Sequence, residues 1–216
     1  MSASTLPLDL YLVTDEAACL GRDLFWIVEE AVKGGVSLVQ LREKNLDTRD
    51  FIDKASKMKE LLAPYNVPLI INDRVDVALA AGADGVHVGQ SDMHYHQLRQ
   101  VLPGQSIVGI SAENMANVEE ANDWEISYLA ISPLFDTPTK PDTGTAWGMA
   151  GLQQAAKVSR HPLVVIGGIN TENVTQAIQH GASGIAVVSA ICSAAFPGYA
   201  AEQLRKAVIS GKKNRL

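Results

Sequence analysis

Pro68-Leu69-Ile70-Ile71-Asn72-Asp73-Arg74, followed closely by Gly85-Val86-His87-Val88-Gly89-Gln90-Ser91-Asp92, is the stretch that decides the fold. Leu69 to Ile71 is a short aliphatic run of the kind that forms a buried strand. Residues 75–81 are rich in alanine and predict a short helix, which Gly82 stops. Residues 86–88 then predict a second strand. Consecutive strands joined through a helix run parallel and usually side by side, about 4.8 Å apart. Both strands end in polar residues, Asn72-Asp73 after the first and Gln90-Ser91-Asp92 after the second. Asp73 and Asp92 are therefore expected near one another at the carboxyl end of a parallel sheet, placed to hold a hard cation. Taken singly, each carboxylate precedes a helix and reads more simply as an N-cap.

Outward from this unit the pattern repeats. Strands are expected at 10–13, 36–41, 107–110, 128–131, 163–166 and 185–188. Helices are expected at 24–32, 48–62 with Thr48 as its cap, 93–101, 115–122, 150–158, 174–179 and 200–209. The segment Ala81-Gly82-Ala83-Asp84-Gly85-Val86 returns as His180-Gly181-Ala182-Ser183-Gly184-Ile185, each a helix stop leading into a buried strand. Eight strands alternating with eight helices predict an α/β fold, a compact (β/α)8 TIM barrel. The whole chain, 1–216, is expected to be one such domain, with the barrel at about 10–209 and short tails. The usual barrel of this type has about 250 residues, so the loops must be short. An open doubly wound sheet is the alternative, but no glycine-rich dinucleotide fingerprint follows the first strand.

Composition narrows the function. A formal charge of −6 argues against nucleic acid as a partner, so an anionic ligand must be caught by a local basic cluster or a metal. With 47% hydrophobic residues there is still no run long enough to span a bilayer. Met1-Ser2-Ala3-Ser4-Thr5 lacks the basic and apolar regions of a secretory signal, and Cys19 and Cys192 have no metal-type spacing. A reduced, cytoplasmic setting is expected, without a membrane partner and with a homo-oligomer left open.

In a barrel of this kind the active site gathers at the carboxyl ends of the strands. The polar residues there are Gln40, Arg42 and Lys44 after the second strand, Asn72 and Asp73 after the third, Asp92 after the fourth and Ser111 after the fifth. The loop 133–148 is longer than the others and carries Thr137-Pro138-Thr139-Lys140, which marks it as functional. Gly167-Gly168 and Val188-Ser189 offer bare backbone amides after strands seven and eight, the usual phosphate site of the fold. Two carboxylates without nearby His or Cys suit Mg2+ completed by phosphate oxygens. The picture is a diphosphate on a metal facing a monophosphate on backbone amides. Plainer readings exist for each part. Arg42 and Lys44 could pair with Glu43 and Asp47 in a solvated loop, and Ser189 could be only a helix cap. Asp15 and Glu113 have no clear partner, and His87 reads as a satisfied barrel residue rather than a base.

Taken together, Gln40-Leu41-Arg42-Glu43-Lys44, Ile71-Asn72-Asp73-Arg74, Gly85 to Gln90 with Asp92, Gly109-Ile110-Ser111, Thr137 to Lys140, Gly167-Gly168-Ile169 and Val188-Ser189 resemble the thiamine-phosphate synthase family. The resemblance runs from about Tyr11 to Ile191. It implies a transferase that joins a hydroxymethylpyrimidine diphosphate to a hydroxyethylthiazole phosphate and releases pyrophosphate. It also implies that Mg2+ is held by Asp73 and Asp92. Substrate contacts would come from Gln40, Leu41, Arg42, Glu43, Lys44, Asn72, Ser111, Thr137, Pro138, Thr139, Lys140, Gly168, Val188 and Ser189. Arg42, Lys44, Ser111 and Lys140 would act nearest the chemistry. Glu113 stands where the family often has His, Ser132 where Gly is common, and Asp136 where Pro or a small residue is common. The alternatives are a related thiazole tautomerase and a non-catalytic barrel that binds a phosphorylated ligand.

Overall fold

The computed structural model describes residues 6–137 and 145–214. Pro138, Thr139 and Lys140 lie outside the described residues, as do Met1 to Thr5. Strands β1 (Leu10–Val13), β2 (Leu38–Leu41), β3 (Leu69–Asn72), β4 (Gly85–Val88), β5 (Ile107–Ala112), β6 (Tyr128–Ile131), β7 (Leu163–Val165) and β8 (Gly184–Val187) close into a barrel in sequence order. Every neighbouring pair is parallel, including β1 with β8. The fold is the (β/α)8 barrel.

The helices form the outer ring: α1 (Leu24–Lys33), α2 (Thr48–Leu62), α3 (Val75–Ala80), α4 (Tyr95–Val101), α5 (Met115–Ala121), α6 (Gly148–Val158), α7 (Val174–Gln179), the short α8 (Ser189–Cys192) and α9 (Pro197–Lys213). Side chains alternate along each strand, so one set faces the helices and the other fills the barrel. The outward set, with Leu12, Val39, Leu41, Ile71, Val86, Ile110 and Val165, packs against helix residues such as Ile27, Phe51, Met58 and Leu152. A smaller cluster inside the barrel holds Tyr11, Leu38, Ile70, Tyr128, Val164 and Ala186. The polar residues buried deepest are Thr14, Gln40, Asn72 and His87, and all lie in or just after strands at the carboxyl half. One end of the barrel interior is therefore apolar and the other polar.

Several local expectations are corrected. Helix α2 is capped by Asp47, whose carboxylate accepts from the Asp50 amide at 2.9 Å, and Thr48 is its first residue. The Thr48 hydroxyl instead accepts from Arg74 Nη2 at 2.8 Å. Helix α4 begins at Tyr95, two residues later than expected, which lengthens the loop carrying Asp92. Neither rim carboxylate caps a helix. The cap position of α3 is Arg74 and that of α4 is His94, both without a capping side chain. Asp73 takes a left-handed backbone conformation (φ 61°), which Asp tolerates better than most residues and which turns the chain sharply off β3.

Candidate active site

Strand register brings the candidates together. Val13 pairs with Gln40, so the residues beyond each strand end, Asp15 and Arg42, face each other across β1 and β2. Arg42 Nη1 lies 3.1 Å from Asp15 Oδ2, while Asp15 Oδ1 accepts from the Ala18 amide at 3.2 Å. Thr14 fixes the same corner, because its buried hydroxyl accepts from the Arg42 amide at 3.0 Å. Asp15 thus has a partner that its sequence context did not reveal.

On the next pair, Asn72 is in register with His87. Asp73 follows Asn72 and is held from both sides, with Asn72 Nδ2 on Oδ1 at 2.7 Å and Lys44 Nζ on Oδ2 at 2.5 Å. Asp92 Oδ2 accepts from the Gly89 amide at 2.8 Å, which folds the β4 loop back on itself. Asp92 lies close enough to Asp73 for that carboxylate's charge to act on it. Burial pushes the Asp92 carboxyl above the ordinary carboxylate range. The Gly89 amide pulls it back, the Asp73 carboxylate pushes it up again and Lys44 opposes that push. Among the described residues, this corner sets two carboxylates, Asp73 and Asp92, against the Lys44 ammonium.

These residues line a cavity of about 550 Å³ at the carboxyl end of the barrel. One wall, from β2 to β5, presents Gln40, Arg42, Lys44, Asn72, Asp73, His87, Gln90, Asp92, Ser111 and Glu113. The other wall, from β6 to β8, is mostly small or apolar residues and bare backbone: Ala130, Ile166, Gly167, Gly168, Ala186, Val188 and Ser189. Thr137 also lines the cavity. Gly167 and Gly168 both have left-handed φ values, 100° and 65°. A Cβ at Gly167 would come within 2.8 Å of the Pro133 side chain, and one at Gly168 within 2.8 Å of Phe135. These glycines let the start of the β6–α6 loop lie flat on the strand ends. That loop is closed at its base by Trp147 N on Pro133 O (3.0 Å) and Gly148 N on Leu134 O (2.9 Å).

Two candidates are not brought into the cavity. The Leu41 side chain is buried against the helices, because it occupies the outward phase of β2. The Glu43 side chain turns away to Lys54, which also binds Glu16, so it anchors the loop rather than lining the site. Glu43 and Asp47 therefore do not neutralise Arg42 and Lys44, which are paired to Asp15 and Asp73 instead. Other residues of the site were missed in the sequence. Asn170 lines the cavity, and Asn173 holds the Gly168 carbonyl at 2.9 Å. Tyr11 lines the cavity floor and is joined, hydroxyl to hydroxyl at 2.9 Å, to the fully buried Tyr128.

Fold and site together define a (β/α)8-barrel enzyme with its charged cavity at the carboxyl end of the strands. Comparison with known proteins narrows this class. The model of the thiamine monophosphate synthase family matches residues 10–191, and the chain belongs to that family. A thiamine-phosphate synthase from Albidiferax ferrireducens is 49% identical over 96% of this chain and 98% of its own. One from Leptospira biflexa is 48% identical over 91% and 95%. A solved structure of thiamine phosphate pyrophosphorylase from Pyrococcus furiosus superposes with a TM-score of 0.87 at 33% identity, covering 96% of this chain and 98% of that one. The 3-hexulose-6-phosphate synthase of Salmonella typhimurium, with a TM-score of 0.74 at 19% identity, shares the fold alone.

Proposed function

We propose that the chain is a Mg2+-dependent transferase that joins hydroxymethylpyrimidine diphosphate to hydroxyethylthiazole phosphate, forming thiamine phosphate and pyrophosphate. The observation that carries this reading is the division of the cavity: an acid pair with cations beside it on one wall, and bare backbone on the other. Among the described residues no three His, Cys, Asp or Glu side chains gather as a metal site. Asp73 and Asp92 fit Mg2+ for a different reason. They are two carboxylates whose mutual repulsion a divalent ion relieves, and they leave its remaining positions to water and phosphate oxygens. When bound there, the ion supplies positive charge against the leaving pyrophosphate.

The chain's own residues do the rest. Arg42 and Lys44 reach into the cavity from β2 and bind the diphosphate, with Asp15 holding the guanidinium in place. The Asn72 amide and Gln40 orient the pyrimidine side. Ser111 meets the substrate near the reacting carbon. Gly168 and the amides at 188–189 receive the thiazole phosphate, together with Thr137. Family resemblance extends that role to Pro138 and Thr139 and brings Lys140 to the diphosphate. An electron-rich aminopyrimidine can lose pyrophosphate to leave a stabilised carbocation at its methylene, which the thiazole nitrogen captures. No nucleophilic side chain is needed, only leaving-group stabilisation and two substrates held in line. A cytoplasmic location goes with this reading, supported by two free, buried cysteines, Cys19 and Cys192.

Purified protein incubated with both substrates and Mg2+ is expected to release pyrophosphate and form thiamine phosphate. If neither product forms, the reading is wrong. A second prediction concerns Asp15. Asp15→Asn keeps the shape but removes the charge beside Arg42, so inorganic pyrophosphate should bind about fivefold more weakly. The melting temperature should barely change, and unchanged pyrophosphate affinity by calorimetry would show that Asp15 does not position Arg42.

A further inference from the structure

The floor of the cavity holds a continuous line of hydrogen bonds across the barrel. Gln40 Nε2 lies 2.6 Å from the Tyr11 hydroxyl, which is 2.9 Å from the Tyr128 hydroxyl. That oxygen is 3.0 Å from His87 Nδ1, and His87 Nε2 is 3.0 Å from Ser111 Oγ. Five side chains from five different strands are linked, and Gln40, Tyr11, Tyr128 and His87 are all buried. The Tyr128 ring stacks on the imidazole, with centroids 5.6 Å apart, and meets Tyr11 edge-on at 5.7 Å.

The direction of this line follows from counting hydrogens. An amide nitrogen only donates, and each hydroxyl has one hydrogen to give. Tyr11 accepts from Gln40 and is buried, and among the described residues the Tyr128 oxygen is the acceptor within reach of its hydrogen, so Tyr11 donates to Tyr128 rather than leave that hydrogen unpaired. Tyr128 accepts from Tyr11, so its hydrogen goes to His87 Nδ1. Burial pushes both phenols well up from their ordinary range, which keeps those hydrogens in place. With Nδ1 accepting, the imidazole carries its hydrogen on Nε2 and gives it to Ser111 Oγ. The Ser111 hydroxyl hydrogen is then left to point into the cavity.

We propose that the Gln40–Tyr11–Tyr128–His87 line makes His87 and Tyr128 positioning residues that hold the Ser111 hydroxyl as a hydrogen-bond donor toward substrate. Run the other way, the line would have Ser111 give its hydrogen to His87 and offer the substrate only lone pairs. The line thus sets the sign of the hydrogen bond that the Ser111 hydroxyl offers. The meeting of Ser111 with substrate rests on the function proposed above, but the direction of the line does not.

The test uses the full chain labelled with 15N at histidine. His87→Gln lacks one of the five histidine signals and thereby assigns it. At neutral pH, two-bond 1H–15N correlation should show His87 with Nε2 protonated and Nδ1 bare. Tyr128→Phe should release that preference into a mixture of tautomers. A wild-type His87 protonated at Nδ1 would overturn the proposal. Turnover gives an independent arm. His87→Leu should lower kcat about tenfold or more with a much smaller change in KM. His87→Gln, whose amide N–H can replace Nε2–H, should recover most of the loss. A folded His87→Gln as slow as His87→Leu would also overturn it. Because the tautomer is read without substrate, failure of the synthase assay and failure of this proposal are separate results.

Discussion

Replacing Asp92 with Asn should lower turnover by roughly a hundredfold or more while leaving the fold as stable as before, or more stable. The amide oxygen of Asn can still accept from Gly89, so the loop keeps its internal hydrogen bond. What is lost is one of two carboxylates that crowd each other. Removing it deletes a repulsion from the folded state and a cation ligand from the site, so stability and activity should move in opposite directions. The pH dependence carries the same sign. Asp92 is raised in the fold, so the folded state holds its proton more tightly than the unfolded state does. Its contribution favours folding at low pH and is lost as pH rises from the ordinary carboxylate value through the raised one. Without added metal, wild type should therefore lose stability relative to Asp92→Asn over that window. Added Mg2+ should raise the melting temperature of wild type and leave that of Asp92→Asn nearly unchanged. If Asp92→Asn keeps full activity but melts lower, the carboxylate is structural and the metal assignment fails.

Gly109→Ala is expected to destabilise the barrel where Tyr128 packs in its interior. Its Cβ would lie 2.1 Å from Tyr128 Cζ and 2.2 Å from the Tyr128 hydroxyl oxygen. That ring is fully buried, stacked on His87 and edge-on to Tyr11, so it has no free space to enter. Overpacking of this kind costs about 3 kcal/mol, which for a chain of this size lowers the melting temperature by roughly 10 °C. Thermal unfolding followed by circular dichroism measures the loss. Adding Tyr128→Leu to Gly109→Ala should recover part of it, since the ring that the methyl strikes is gone. Strict additivity of the two substitutions would mean that some other contact causes the damage.

The barrel was legible because its signals are local. Each strand is a short aliphatic run, and turn residues such as Gly34-Gly35 and Gly82 sit at the helix ends. The polar rim was legible for a related reason. Gln40, His87 and Ser111 occupy the inward phase of otherwise apolar strands, where a polar residue has little reason to be unless it faces a cavity. The N-cap reading of Asp73 and Asp92 failed because backbone turns decide cap positions. The left-handed turn at Asp73 moves the cap of α3 to Arg74, and the fold-back onto Gly89 keeps Asp92 two residues short of the cap of α4. The Asp15–Arg42 pair could have been found by extending the β1–β2 register two residues past Val13 and Gln40. The Tyr11–Tyr128 contact could not, because it joins residues 117 positions apart whose neighbours within their strands are only Leu, Ala, Val and Ile. Only barrel closure brings them together. Gly109, a bare position in register with Tyr128 on the next strand, was the one trace of it in the sequence.

The two walls of the cavity differ in how they can change. The β2–β5 wall speaks through side chains, each of which one codon can rewrite. The β6–β8 wall speaks largely through peptide groups, which every amino acid carries alike. Substitutions that retune this chain toward other substrates should therefore accumulate on the first wall. On the second, variation is limited to substitutions that block space or displace a loop. A library randomised evenly around the rim should return altered specificities from one side of the barrel and mostly dead or unfolded variants from the other.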